Sequence, residues 1–135
     1  MKILLDTHML IWIITGDKHL GKRAKQLFLD ERNEVYYSLV SLWEISLKRR
    51  KHPENCPINE NDCAMYAEQS GIETLGPKPE HIFGIPSLKI KEGEYIGNED
   101  PFDQLLLSQA KSEGCFFMTH DTLMQHYDEN FILSV

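Results

Sequence analysis

The spacing of apolar and polar residues follows two patterns in turn along the chain, one typical of strands and one typical of helices. Short apolar or β-branched runs predict strands, and apolar residues at three- and four-residue spacing predict helices between them. The predicted strands cover residues 2–5, 35–37, 72–75, 115–119 and 131–133. The predicted helices cover residues 8–15, 21–29, 61–70, 79–85, 101–113 and 122–127, with another that begins at Ser38 or Ser41 and ends before Pro53. Loops are expected at 53–59 and, as a flexible segment, at 86–99.

This alternation predicts an α/β fold with one central, mostly parallel β-sheet. Parallel strands are joined by right-handed helical crossovers, which place helices on both faces of the sheet. The 135 residues and the hydrophobic content of 41% are those of one compact domain. We therefore expect a single domain over residues 1–135.

Composition narrows the class of protein. The three cysteines form no CxxC pair, which favours a reduced, cytoplasmic protein and argues against structural zinc. The apolar stretch at the amino terminus is interrupted by Asp6 and His8, so neither a signal peptide nor a membrane span is expected. Glycine-rich phosphate-binding motifs are missing from the sequence, so a dinucleotide or nucleoside triphosphate cofactor is not expected.

The formal net charge of −7 argues against a protein that coats nucleic acid, because neutralising phosphates requires clustered lysine and arginine. Basic residues are nevertheless grouped at 48–51 and at 22–25. Each group can be a solvated helix end, stabilised by the helix dipole, or a local contact for nucleic acid. The charge balance therefore leaves a nuclease possible.

Four carboxylates stand near the points where predicted strands give way to helices: Asp6, Glu44, Asp103 and Asp121. The carboxyl ends of parallel strands meet at one edge of the sheet, so we expect these side chains to converge there. Several hard oxygen ligands with so much negative charge are typical of a Mg²⁺ or Mn²⁺ site. The pattern predicts that these four acids are both the metal ligands and the catalytic residues.

Helix capping is the alternative explanation for each acid. Asp100, Pro101 and Asp103 have the spacing of N-cap, N1 and N3, and Ser41 and Glu44 have the spacing of a capping box. Serine, threonine and asparagine cap about as well as aspartate, so capping alone does not explain a carboxylate at every junction. Glu44 in particular has apolar neighbours and needs a partner for its charge.

Histidines and aromatic residues give weaker indications of function than the four acids. His8 and His120 stand next to candidate acids and could assist them, whereas the other histidines have no metal-ligand spacing and are interpreted as structural. The aromatic residues expected in the core rather than in a base-stacking surface are Trp12, Trp43, Phe102, Phe116 and Phe117.

Four segments resemble, in order, the signature regions of PIN-domain proteins of the VapC toxin type. They read LLDTHMLIW at 4–12, SLVSLWEISLK at 38–48, DPFDQLLLSQA at 100–110 and MTHDTLMQHY at 118–127. The resemblance implies a parallel sheet sandwiched by helices and a Mg²⁺- or Mn²⁺-dependent endoribonuclease. It also implies three partners: an RNA substrate, a cognate antitoxin and a second copy in a homodimer.

Matched position by position, the resemblance assigns the four acids of the site, in order, to Asp6, Glu44, Asp103 and Asp121. Asp100 matches an additional acid of the third segment. Thr7 and Thr119 match positions whose side chains commonly hydrogen-bond around the acids. Water activated by the metal would then attack the phosphodiester in line, leaving 5′-phosphate ends.

The third segment departs from the family pattern, which is close to HHxDPFDR. This chain has Gly97, Asn98 and Glu99 before DPFD, and Gln104 where the pattern has arginine. The departures suggest an alternative function, a catalytically weak PIN-like module that binds RNA or protein. A phosphoacceptor receiver or an aspartate-nucleophile phosphatase fits poorly. These proteins need a late lysine or an acid two residues after the first aspartate, where this chain has His8.

Overall fold

A parallel sheet forms the centre of the molecule. The computed structural model describes residues 1–93 and 100–135. Within them the strands are β1 (Lys2–Leu5), β2 (Glu34–Ser38), β3 (Glu73–Leu75), β4 (Phe116–Thr119) and β5 (Ile132–Ser134). Their order is β3-β2-β1-β4-β5, and every neighbouring pair is parallel. The predicted α/β fold is confirmed, with β1 at the centre.

Helices connect the strands. They are α1 (Thr7–Thr15), α2 (Lys22–Leu29), α3 (Leu39–Lys51), α4 (Glu60–Gln69), α5 (Pro79–Phe83) and α6 (Pro101–Glu113). Short 3-10 helices lie at Pro53–Asn55, Ile85–Ser87 and Thr122–His126. In the described part of the chain, each helix is too short or too polar to cross a membrane.

Local sequence explains the ends of α1, which Asp6 caps, and of α6, which carries Asp103. Both α1 and α6 end at a glycine with a left-handed backbone, Gly16 at φ 67° and Gly114 at φ 69°. Glycine takes this conformation without the steric cost that other residues incur. Pro101 at the first position of α6 has the fixed φ that suits a helix start.

The sheet is covered on both faces. Along β1, Ile3 and Leu5 belong to one buried cluster and Leu4 to another, as expected when successive side chains alternate across a strand. The first cluster includes residues of α1 and α4, and the second is formed largely by α6 with Phe117 of β4. The three cysteines are buried and free.

Helix α5 is held against α6 by a buried histidine. The imidazole of His81 accepts a hydrogen bond at Nδ1 from the Lys78 N–H (2.9 Å), and its Nε2 lies 2.8 Å from Glu113 Oε1. Since Nδ1 accepts, the proton is on Nε2 and is donated to Glu113. The helices approach closely enough that a Cβ at Gly84 would lie 2.8 Å from Ser108 Oγ. His81 is therefore a structural residue, as interpreted from the sequence.

Several local features differ from expectation or decide between alternatives. Of the two starts left open for α3, Ser38 is the N-cap, so Ser41 lies in the first turn and the capping-box alternative for Glu44 does not apply. The predicted loop at 53–59 contains the 3-10 helix Pro53–Asn55, and the predicted helix at 122–127 is a 3-10 helix. Two aromatic side chains assigned to the core are exposed instead, Trp43 at 58% and Phe116 at 39%.

The predicted loop at 86–99 lies only partly within the described residues. It begins inside the 3-10 helix Ile85–Ser87, and Ile90 forms an isolated antiparallel bridge with Tyr127. Residues 94–99 lie outside the described residues, and with them Gly97, Asn98 and Glu99, at which the sequence departs from the family pattern.

Candidate active site

Asp6 directly follows the central strand, and hydrogen bonds to its backbone N–H and to both carboxylate oxygens fix its position. Its N–H donates to the carbonyl of Met118 in β4 (3.1 Å), and its Oδ1 accepts from the Met9 N–H (2.7 Å), which makes it the N-cap of α1. Its Oδ2 accepts a hydrogen bond from the Thr119 hydroxyl. Burial raises the pKa of Asp6 above its ordinary value although these hydrogen bonds act in the opposite direction.

Thr119 links two of the predicted acids. While its hydroxyl donates to Asp6, the same oxygen accepts the N–H of Asp121 (3.0 Å). Asp121 in turn accepts the N–H of Leu123 at Oδ1 (2.9 Å) and caps the 3-10 helix that follows. The acids that follow β1 and β4 are therefore held at the same edge of the sheet by one side chain.

Glu44 lies on α3 and is only 3% exposed. Its Oε1 accepts a hydrogen bond from the Thr7 hydroxyl (2.7 Å), which is also 2.9 Å from Ser41 Oγ. Its Oε2 forms an ion pair with Lys48 Nζ (2.6 Å) one turn later. The buried carboxylate thus has the partner that its apolar surroundings require. Thr7 and Thr119 both bond to acids, as the resemblance implied.

Lys48 is in direct contact with the candidate site through Glu44. Neither interpretation of the basic run at 48–51 predicted this contact. Burial alone would lower the pKa of its ammonium group. The hydrogen bond to Glu44 and the nearby charges of Glu44, Asp100 and Asp103 outweigh burial and raise that pKa. The signal in the sequence was the Glu-to-Lys spacing of four residues, which places both side chains on one helix face.

Asp103 lies in the first turn of α6, next to the start of the helix. Asp100 is the N-cap and accepts the Phe102 N–H at Oδ1 (2.8 Å), as predicted. Within the described residues, no hydrogen bond runs back from the Asp100 N–H to Asp103. The rings of Phe102 and Trp43 meet edge to face at 4.8 Å, which holds the start of α6 against α3 and brings Asp103 toward Glu44.

The electrostatics of Asp103 show that the acids converge. Burial first, and then the charges of its carboxylate neighbours, raise its pKa from 3.8 to about 7. The contributing acids are Asp100, Glu44, Asp121 and Asp6, in that order. Asp103 is thus within electrostatic reach of the other three predicted site residues and of Asp100, the N-cap of its own helix.

Among the described residues the acids do not form a ready-made metal cage. Across residues 1–93 and 100–135, no three histidine, cysteine, aspartate or glutamate side chains are positioned to hold a metal ion. Both oxygens of Asp6 accept hydrogen bonds, and Glu44 faces an ammonium group, so the protein itself satisfies these acids. The donor chemistry, carboxylate oxygens without sulfur, suits Mg²⁺ or Mn²⁺. A bound cation would offset the negative charge that burial and the neighbouring acids disfavour at Asp103.

A cluster of rings next to the site was not predicted. The rings of His8, His19 and His120 lie 6.1, 5.6 and 5.5 Å from that of Trp12, between ring centroids. The one-turn spacing of His8 and Trp12 is visible in the sequence. The positions of His19 and His120 depend on the tertiary fold, so no spacing rule could reveal them.

A sequence profile of the PIN domain matches residues 3–130 of this chain. No curated protein is similar enough in sequence to match. Gln104, which replaces the arginine of the pattern, directly follows Asp103 in α6.

Solved structures match along the whole chain. DNA-bound VapBC from Salmonella typhimurium matches with a TM-score of 0.65 and 18% identity, covering 99% of this chain and 98% of that one. A toxin-antitoxin complex from Klebsiella pneumoniae gives 0.57 and 19%, with 98% and 96% covered. VapC20 from Mycobacterium tuberculosis, described as a Sarcin-Ricin loop cleaving toxin, gives 0.54 and 16%, with 98% of each chain covered. At these identities the likeness establishes a shared fold.

Proposed function

This chain belongs to the PIN-domain family, and on that premise we propose that it is a Mg²⁺- or Mn²⁺-dependent endoribonuclease and the toxin of a toxin–antitoxin pair. The observation that carries the proposal is the gathering of carboxylates at one sheet edge: Thr119 joins Asp6 to Asp121, and burial and surrounding carboxylates raise the pKa of Asp103 to about 7. Such a concentration of acids at one sheet edge is costly without a cation. A bound divalent cation would offset this electrostatic cost.

We assign the cation to Asp6, Glu44, Asp103 and Asp121, which are also the proposed catalytic residues. When bound, Mg²⁺ or Mn²⁺ would activate a water molecule, orient the phosphodiester and offset the charge that develops during cleavage. The chain's own side chains supply position and charge. Thr119 fixes the direction of the Asp6 carboxylate, and Thr7 does the same for Glu44.

Lys48 has a second contribution in this proposal. Its ammonium group holds Glu44 Oε2 at 2.6 Å and carries a positive charge at the edge of an otherwise acidic site. A phosphate of the substrate would be repelled by the acids and attracted by this group. Lys48 is therefore placed to orient both Glu44 and the incoming RNA backbone.

The decisive experiment is cleavage of RNA with and without metal. We expect purified protein to cut RNA in Mg²⁺ or Mn²⁺, to lose that activity in excess EDTA, and to leave 5′-phosphate ends. Asp6→Asn should lose activity while remaining folded, because it removes a ligand charge and keeps the shape of the side chain. Asp62→Asn is the matched control, since Asp62 lies in the first turn of α4 at an exposed position.

Two outcomes would contradict this mechanism. Full activity in excess EDTA would exclude a role for the metal, and products with 2′,3′-cyclic phosphate ends would show that a ribose hydroxyl is the nucleophile. A folded protein that binds RNA in Mn²⁺ without cutting it would favour the binding-module alternative.

We also propose a cognate antitoxin and a second copy of this chain as partners. The solved structures with the same fold include VapBC and toxin-antitoxin complexes, which supports an antitoxin. For the homodimer, light scattering should give about twice the 15.7 kDa of one chain. A mass that stays at one chain across micromolar concentrations would show that the protein is a monomer.

A further inference from the structure

A groove of about 490 Å³ opens beside the acids. We call it the Trp12 groove; its lining includes Thr7, Ile11, Trp12, His19, Lys48 and His52. Thr7 and Lys48 line this groove, and both contact Glu44, so the groove adjoins that acid of the proposed active site. Its volume lies within the range of about 300 to 1,000 Å³ found for small-molecule sites. The groove is large enough for a compact ligand.

One wall of the Trp12 groove is built from rings. Trp12 packs against the buried cluster beneath it, and the imidazole of His19 is stacked on its ring at 5.6 Å and 25°. His120 meets the same indole edge to face at 5.5 Å, and His8 is tilted toward it at 6.1 Å. Aromatic and imidazole rings in this arrangement are the surfaces on which proteins stack the bases of single-stranded RNA.

His19 is held in place although its side chain is 64% exposed. Asp17 Oδ1 accepts its backbone N–H (2.8 Å) and pairs with its ring at Nδ1 (2.6 Å). The stack on Trp12 fixes the plane of the ring. An exposed ring that is already ordered loses little further freedom when a ligand stacks on it, which favours binding. Asp17 and Trp12 therefore hold His19 ready for a planar ligand.

We propose that the Trp12 groove binds one nucleotide of single-stranded RNA, with its base stacked on the wall formed by Trp12 and His19. The proposal rests on the proposed function, since it places part of the RNA substrate next to the acids. Lys48, which lines the same groove, supplies a cation for the nucleotide's phosphate. Bases in a duplex are already stacked, so the groove selects unpaired nucleotides.

Intrinsic fluorescence can test this binding directly. The chain has two tryptophans, so in a Trp43→Phe protein the emission reports Trp12 alone. This protein would be titrated in EDTA, where no cleavage occurs, with each nucleoside 5′-monophosphate and with single-stranded RNA hexamers. We expect saturable quenching, and His19→Ala should raise the Kd roughly 10-fold by removing a stacking ring. Phe83→Ala is the control, because Phe83 is an aromatic residue on α5 that is 77% exposed.

Cleavage kinetics in Mn²⁺ provide the second measurement. His19→Ala should raise KM while kcat stays close to its original value, as expected when binding is lost equally from the ground state and the transition state. Trp12→Phe keeps an aromatic ring in the core and should weaken nucleotide binding without unfolding the protein.

Failure of this proposal is distinguishable from failure of the proposed function. Saturable quenching in a protein that never cleaves RNA would support the groove and overturn the nuclease. Metal-dependent cleavage with the same KM in His19→Ala and Phe83→Ala would support the nuclease and overturn the groove. Quenching by a protein partner but by none of the nucleotides would also overturn it, and would identify the groove as a protein-binding surface.

Discussion

Asp103→Asn is expected to abolish RNA cleavage and at the same time to stabilise the metal-free protein. Residues that only orient metal ligands typically contribute 10- to 100-fold to affinity or activity, so loss of a ligand should cost at least about 100-fold. The same substitution removes a half-buried charge that four other carboxylates repel. Cleavage assays and thermal unfolding in EDTA measure the two effects on one sample.

The stabilisation should depend on pH. Asp103 has an ordinary pKa of 3.8 when unfolded and a pKa of about 7 when folded. Between these values the unfolded chain binds fewer protons than the folded one, so rising pH lowers the free energy of unfolding. Wild type and Asp103→Asn should thus have similar stability below about pH 4. Their difference should grow up to about pH 7 and then stay constant, with a midpoint higher by about 3 °C or more in the variant.

Asp100→Asn is the control within the same helix turn. Asparagine caps helices about as well as aspartate, so stability and cleavage should remain close to those of the wild type. Asp100→Ala should lose about 0.5 to 2 kcal/mol of stability, because the Phe102 N–H loses its acceptor. If Asp103→Asn cleaves RNA as well as the wild type, Asp103 is a first-turn acid without a role in catalysis, and the site assignment is wrong.

Growth arrest of a bacterial host on induced expression, relieved by Asp121→Asn, is the second expected result. Asp121 accepts the Leu123 N–H to cap a 3-10 helix, and asparagine can accept the same hydrogen bond. The fold should survive while one ligand charge is lost, so relief of the arrest would report lost activity. Colony counts after induction, with soluble protein measured by immunoblot, provide the readout.

Asp128→Asn is the matched control for growth, since Asp128 is an exposed acid in the following turn. Its variant should remain as toxic as the wild type. Co-expression of the proposed antitoxin should also relieve the arrest, in this case without any substitution. Normal growth at confirmed soluble levels of the wild type would contradict the toxin proposal and favour the binding module.

Much of the fold could be predicted from local sequence. The alternation of apolar runs and helical periods located all five strands of the described sheet. Helix α6 was predicted with the observed bounds, Pro101–Glu113, because proline and glycine mark its two ends with separate physical signals. The start of α3 was ambiguous between two serines, since serine caps helices at either position. In the structure Ser38 is the N-cap, and its hydroxyl oxygen accepts the Val40 N–H at 3.0 Å.

The sequence predicted which acids lie at the candidate site. It did not predict which side chains contact them. Strand ends converge in any parallel sheet, so the meeting of Asp6 and Asp121 followed from topology. That a buried Glu44 is paired with Lys48 depends on which face of α3 is covered. The stack of His19 on Trp12 depends on the turn after α1, and the contact with His120 joins residues more than 100 positions apart. Local patterns contain no information about these two contacts of Trp12.

The order of strands in the sheet also determines when the four acids can come together during synthesis. The central β1 pairs with β2 on one side and with β4 on the other, so its second neighbour is separated from it by more than half of the sequence. Contacts of such long range slow folding, because the loop between them must be ordered first. A chain emerging from the ribosome has Asp6 and Glu44 early but lacks Asp121 until β4 has been synthesised. If the proposed nuclease activity requires Asp121, the nascent chain is inactive as a nuclease until β4 and the residues after it have been synthesised.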